Sequence, residues 1–141
     1  ACYAKTEPDY VQGDIRDWGC NWRGTTWIPI NYMIMHGLLD YGYADVARKL
    51  ARKTVDLVYK RNEVTREFYD GESGEGLGLK RFWGWSVLAY VMPFECETGY
   101  DPSKLDGSAV RPLGRELFGL DFPASDDPRP ISTHLSQDGL Q

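Results

Sequence analysis

The sequence predicts an all-α domain. Two adjacent stretches show it most clearly, because both repeat apolar residues at helical spacing and only a four-residue link, Asp40-Tyr41-Gly42-Tyr43, separates them. Helices joined so tightly must lie antiparallel, as an αα-hairpin. A third apolar stretch follows at 84–92 and ends near Pro93, whose ring and missing N–H oppose further helix.

Residues 1–25 carry Gly, Asp and aromatic residues without a clean period, which reads as an extended or looped lead-in. From Trp27 the pattern turns helical. Thr26 is the expected N-cap, Pro29 falls in the first turn where its lack of an N–H costs nothing, and Ile30, Met33, Ile34, Gly37 and Leu38 follow at helical intervals. Gly42 is the expected left-handed terminator. The 44–59 stretch is the clearest amphipathic helix. Val46, Ala47, Leu50, Ala51, Thr54, Leu57 and Val58 share one face, opposite Arg48, Lys49, Arg52, Lys53, Asp56 and Lys60. Its basic side reads as a solvated outer surface.

Residues 61–81 read as a loop, too polar to pack and too long for a mere connector, and loops of that kind tend to be functional. Between 100 and 120 the expectation is weak structure with a short docked turn at 115–120. From 121 onward Pro, Asp and Ser dominate, and the expectation is a disordered tail after a single domain spanning 1–120.

A length of 141 residues, a hydrophobic fraction of 42% and a formal charge of −5 fit one globular unit with a core. With 21 acidic against 16 basic side chains there is no basic stripe to neutralise phosphates, so nucleic acid is excluded as a partner. Cys2, Cys20 and Cys96 show no paired spacing, and the histidines are only His36 and His134, so neither a metal nor a cofactor is expected. An odd cysteine count leans toward a reducing compartment such as the cytoplasm, although one bridge with one free thiol also fits. No apolar run has the length of a membrane span, and no leader pattern is present. The chain does not begin with Met, which suggests the C-terminal piece of something longer.

Chemistry concentrates in three places. Asn21-Trp22-Arg23-Gly24-Thr25-Thr26-Trp27 supplies flat aromatic faces and a planar guanidinium. Glu67-Phe68-Tyr69-Asp70 places carboxylates among aromatics, and Gly74, Glu75, Gly76 and Gly78 follow in a glycine-rich run. Phe82-Trp83-Gly84-Trp85 closes the set. Aromatic faces stack on sugar C–H groups, and glycosidic bonds are commonly cut by two carboxyl groups flanking the scissile bond. Each residue also has a plainer reading. The tryptophans serve equally as core, Glu67 as a solvated loop acid, the glycines as turn formers, and Arg23 as the partner of Asp17 or a loop acid. His36, on an apolar helix face, reads as a hydrogen-bonded core residue.

The order Asn-Trp-Arg-Gly-Thr-Thr-Trp-Ile-Pro-Ile-Asn-Tyr, then Gly-Leu-Leu-Asp-Tyr-Gly-Tyr, Glu-Phe-Tyr-Asp, a Gly-rich loop and Phe-Trp-Gly-Trp-Ser resembles glycoside hydrolase family 63. The trehalases of family 37 share its clan and a looser form of the pattern. The resemblance covers residues 17 to about 98, with an extension to Leu120. It implies an (α/α)6 toroid, of which this chain holds only the last three or four helices and therefore needs upstream helices of the same domain. It implies an inverting hydrolase acting on α-linked glucosides or mannosides. Within it, Glu67 is the general base, with Glu75 as the fallback. Trp22, Arg23, Gly24, Trp27, Tyr69, Trp83 and Trp85 line the sugar pocket. The family's general acid, an Asp, lies upstream of this chain, and Asp14 and Asp17 do not occupy its setting. The rival reading is a non-catalytic carbohydrate-binding or helical scaffold module.

Overall fold

The computed structural model describes residues 4–13, 22–60, 62, 64–78, 83–99 and 107–119. The expected tail lies outside the described residues, as do Cys2, Asp14, Asp17, Cys20 and Phe82. The described chain is mostly helical, as expected, and it adds a small sheet that the sequence reading did not contain. In order run strand β1 (Thr25–Thr26), helix α1 (Ile28–Asp40), helix α2 (Ala44–Val55), strands β2 (Phe68–Asp70) and β3 (Gly76–Leu77), and helices α3 (Leu88–Thr98) and α4 (Gly107–Phe118).

Helix α1 starts after Trp27, whose backbone is extended, with Pro29 in the first turn. Thr26 does not cap it. That residue is paired with Tyr69 in the sheet, and no side chain caps the helix. The C-terminus follows expectation. Gly42 has φ +81°, Tyr43 N–H donates to the Leu38 carbonyl at 2.7 Å and Gly42 N–H to Leu39 at 3.0 Å, so the last carbonyls are satisfied by a Schellman turn. The chain then reverses into α2, where Asp45 in the first turn and Arg52 and Lys53 in the last complement the helix dipole.

Helix α2 is the centre of the helical layer. Ala47 and Ala51 are fully buried, and their small side chains let Met35 of α1 and Met92 and Cys96 of α3 close over them in one core cluster. Val46 belongs to the solvent side rather than the expected buried face, because the stripe is centred on Ala47, Ala51, Thr54 and Val58 and Val46 lies about 100° off it. Past Val55 the α-helix does not run on to residue 59 but widens into a π-helical turn, Asp56–Lys60. Asn62 meets that wide end with its side-chain amide, donating to the Leu57 carbonyl at 2.8 Å, while its Oδ1 accepts from Gly76 N–H. The helix end is thereby tied to the sheet.

The described part of the 61–81 region is packed, contrary to expectation. The sheet order is β1-β2-β3, all antiparallel, with Thr26 opposite Tyr69 and Tyr69 opposite Gly76. Strand side chains alternate, so Phe68 turns to Trp27 while Tyr69 enters a second core cluster with Ile28, Val58 and Ala89. Acidic flanking residues hide a two-sided apolar strand.

Two further corrections concern the last two helices. The third helix does not stop at Pro93: a 3-10 turn, Gly84–Val87, leads into α3, which carries Pro93 inside it and ends at Gly99 with φ +66°. The lost N–H bond is offset by burial of Pro93 together with Ala89, Met92 and Cys96. Helix α4 likewise contains Pro112 and is a full helix rather than a short turn at 115–120. It docks through Leu113 and Leu117, through Phe118 against Tyr59, Tyr90 and Phe94, and through an Arg52–Glu116 ion pair.

The β2–β3 turn is built on Asp70. Its Oδ1 accepts from Ser73 N–H at 2.7 Å, Glu72 N–H at 2.9 Å and Ser73 Oγ at 3.0 Å, an Asx-type turn. Burial works to raise the Asp70 pKa, but these donors together outweigh it and hold the carboxyl below its ordinary 3.8. A lowered folded pKa stabilises above the ordinary value and is lost as pH falls through the folded one. Asp70→Asn is therefore expected to cost roughly 1–3 kcal/mol at neutral pH. That deficit should shrink once the pH drops below 3.8, as denaturant titrations at the two pH values would show. An equal deficit at both would remove the ionised carboxylate from the account.

One side of α1 is uncovered by the other described residues. Met33 and Ile34 are exposed on it and Tyr41 just past its end, and a helix apolar on all sides is normally enclosed. The isolated chain is expected to self-associate through this face, and Met33→Lys with Ile34→Glu should return it to a monomer. A wild-type monomer in sedimentation would refute the assignment of this face.

Candidate active site

The tryptophans of the two motifs, far apart in sequence, come together on one side of the sheet. Trp22 stacks flat on Trp27, with ring centroids 3.7 Å apart and planes 5° from parallel. Trp27 in turn stacks on Phe68 at 4.8 Å and meets Trp85 at 5.7 Å, and Trp85 meets Trp83 at 5.2 Å. Five aromatic rings thus form one continuous wall. Its layers differ in access. Trp27 is 2% exposed and its indole N–H is satisfied by Thr25 Oγ1 at 2.9 Å, whereas Trp22 is 48% and Trp85 37% exposed. Trp27 is the spine of the wall; Trp22 and Trp85 present its open faces.

Gly24 and Arg23 lie in the turn before β1. Gly24 is buried against the 4–13 segment, and a Cβ there would fall on the Val11 carbonyl, so its glycine serves close backbone packing. Arg23, next to it, is exposed. Tyr69 is fully enclosed: its hydroxyl oxygen accepts from Arg66 N–H at 3.0 Å, and burial raises its pKa, so it stays a neutral phenol.

Glu67 stands where the wall meets the sheet. It is 8% exposed, its backbone carbonyl accepts from the Trp85 indole N–H at 2.8 Å, and its carboxyl packs beneath Gly78. Glu75 stands elsewhere. The β2–β3 register sets Phe68 opposite Leu77, and continuing it puts Glu67 level with Gly78 and Glu75 level with Asp70. Three residues of strand, about 10 Å, separate the two levels. Glu75 is exposed beside the Asx turn, away from the tryptophans.

Two residues that the sequence reading did not single out hold this arrangement. Thr65 accepts Trp83 N–H through both its carbonyl and Oγ1, at 3.2 and 3.1 Å, and Ser86 Oγ donates to the Arg66 carbonyl at 2.5 Å. Their only signal in the sequence was position, as small hydroxyl residues flanking the two motifs. His36 is a core residue, as expected, with Nε2 2.8 Å from Glu95 Oε2 and Tyr32 OH donating to Glu95 Oε1 at 3.2 Å. Cys96 is buried, and its thiol is pushed up to about 11 by that burial, so it is unreactive at neutral pH.

An open cleft of about 510 Å³ lies between α1, α2 and the β2–β3 turn, lined among others by Asn31, Lys53, Asp56, Asp70 and Glu72. Neither Glu67 nor any tryptophan lines it, so the two features are separate. Among the described residues no group of three or more His, Cys, Asp or Glu side chains is placed to hold a metal ion, and no helix is long and apolar enough to cross a membrane.

Residues 2–86 match the family described as the mannosylglycerate hydrolase MGH1-like glycoside hydrolase domain. A mannosylglycerate hydrolase of Thermus thermophilus is 41% identical over 69 residues, which is 49% of this chain and 16% of that protein. The mannosyl-oligosaccharide glucosidase GCS1 of Arabidopsis thaliana is 29% identical over 105 residues, 65% of this chain and 12% of that protein. Among solved structures, an uncharacterized conserved protein from a second strain of Thermus thermophilus aligns with a TM-score of 0.46 and 31% identity over 63% of this chain and 20% of the other. The chain thus spans about one sixth or less of the curated relatives just named. With more than half of its length inside the family match, the tryptophan wall and Glu67 included, this chain belongs to the MGH1-like glycoside hydrolases.

Proposed function

We propose that this chain is the C-terminal part of the catalytic domain of an inverting glycoside hydrolase that acts on an α-linked mannoside or glucoside. The observation that carries the reading is the seat of Glu67, anchored through its own carbonyl to Trp85 at the edge of an aromatic wall. In this role the Glu67 carboxylate takes a proton from a water as that water's oxygen bonds to the anomeric carbon. The bond from that carbon to the leaving oxygen breaks on the opposite face of the ring. An Asp from the rest of the domain protonates the leaving oxygen. The two carboxyls of such a pair stand roughly 6.5–9.5 Å apart, which leaves room for the water.

The open faces of Trp22 and Trp85 stack on the sugar, and Trp83 extends the wall. The exposed Arg23 offers its planar fork to hydroxyls or to a carboxylate on the substrate. Trp27, Gly24 and Tyr69 act from behind. Trp27 backs Trp22, Gly24 seats the turn, and Tyr69 fixes the strand that carries Glu67. The names of the relatives, mannosylglycerate hydrolase and mannosyl-oligosaccharide glucosidase, support the substrate class. Their greater length supports an (α/α)6 toroid completed by helices outside this chain, and the bare side of α1 is a seat for them.

The test is to extend the coding sequence upstream of Ala1 and assay the longer protein on a panel of α-mannosides and α-glucosides. Glu67→Gln is expected to lower kcat about 10²–10⁴-fold with substrate binding nearly intact, the usual range for loss of a general acid or base. Glu75→Gln should leave turnover close to the parent's, and the 141-residue chain alone should turn over nothing. Full activity in the Glu67→Gln protein would overturn the assignment. If sugar binding depended on Trp22 and no turnover could be found in any extended protein, the non-catalytic sugar-binding module would take its place.

A further inference from the structure

Each of the three residues leading into β2 is held by the segment that carries the second tryptophan motif. Thr65 accepts from Trp83 N–H, Arg66 from the Ser86 hydroxyl, and Glu67 from the Trp85 indole. On the opposite side stands Gly78. A Cβ built on it would lie 2.5 Å from both Glu67 Cβ and Glu67 Oε2, and 3.3 Å from Cδ, and its φ of +100° is one that side chains rarely adopt. The space that a side chain at 78 would fill is already taken by the carboxyl of Glu67. Its glycine is therefore required by a carboxylate of the same chain as well as by its backbone angle.

The Trp85 indole is divided in the same way. Its ring is 37% exposed on the wall, while its N–H turns inward to the Glu67 carbonyl. Losing the ring and losing the N–H are separate chemical events, and Phe in place of Trp removes the N–H while keeping a smaller aromatic face.

We infer that Gly78 and the Trp85 indole N–H are positioning elements for Glu67, the first giving its carboxylate clearance and the second fixing the backbone that carries it. The inference rests on Glu67 being the base. Positioning of a reacting group to within fractions of an ångström governs turnover, and a displacement of about 1 Å costs on the order of 10²-fold. Gly78→Ala alters none of the side chains proposed to hold the sugar and crowds the carboxylate. Trp85→Phe retains part of the stacking face and removes the donor to the Glu67 carbonyl.

In the upstream-extended protein, Gly78→Ala is expected to lower kcat about 10²-fold with KM changed little, and Trp85→Phe to lower kcat about 10-fold, any rise in KM reflecting the smaller ring on the wall. The decisive readout is the double-mutant cycle. In a Glu67→Gln background neither substitution should lower kcat further, because the group they position has already lost its function. A purely structural role would give the same proportional loss in both backgrounds, and that additivity would overturn the inference. So would losses that appear in KM with kcat kept. Should Gly78→Ala fail to fold, as circular dichroism would reveal, the Trp85→Phe arm decides alone. If Glu67→Gln itself keeps full turnover, the base assignment fails and this inference with it. If Glu67→Gln collapses turnover while neither Gly78→Ala nor Trp85→Phe does, the base stands and the positioning role is refuted.

Discussion

Strand β2 is three residues long and buried on both faces, and the rest of the molecule is arranged around that constraint. Its alternation sends Phe68 to the tryptophan wall and Tyr69 to the helical core, so one short strand joins two apolar clusters that would otherwise be independent. Backbone donors and acceptors at such a place have no access to water and must be paired within the chain. β1 on one side and β3 on the other do so, which is why a mostly helical chain carries a sheet at all.

The helical layer supplies the rigidity on which this strand rests. Ala47 and Ala51 hold α1 and α3 close to α2, and the π-helical end of α2 sets Val58 against Tyr69. Asn62 then bonds the helix end and the β-hairpin at once, to Leu57, Gly74 and Gly76. Charged groups contribute less. Arg48 with Asp45 and Glu97, and Arg52 with Glu116, are solvent-exposed pairs whose geometry aligns α2 with α3 and α4 but whose attraction is screened by water. Apolar packing and the side-chain ties of Asn62 and Asp70 hold the scaffold.

The αα-hairpin was legible because its signals are strong and local. A period of 3.6, Pro29 in a first turn and Gly42 after the last one specify start, length and reversal, and His36 on an apolar face reads correctly as core. The strands were not legible, since two or three residues cannot display a period of two, and the acidic neighbours of Phe68 and Tyr69 gave the region the look of a solvated loop. Pro93 failed as a stop signal for a different reason: burial of the helix around it outweighs a single missing hydrogen bond. Of the candidate site, the residue types were readable and the layering was not. Nothing local in the sequence distinguishes Trp27, closed in by Trp22 and Phe68, from Trp22, open on its outer face.

That layering bears on how the chemistry would be divided along a longer polypeptide. A base that must aim a water at one carbon needs a fixed position more than it needs strength, and under the proposed function that position comes from elements contained in this chain: a two-sided buried strand, a glycine whose space a carboxyl fills and an indole N–H on a main-chain carbonyl. The open faces of Trp22 and Trp85 lack an opposite wall among the described residues, and the bare side of α1 lacks a covering helix there. Under the proposed function both gaps are closed by one body, the rest of the toroid, so the event that buries the apolar side of α1 also brings the general acid opposite Glu67. Folding of the two parts and assembly of the carboxyl pair are then the same step, and a base held rigidly in advance is what lets that step produce a correctly spaced pair.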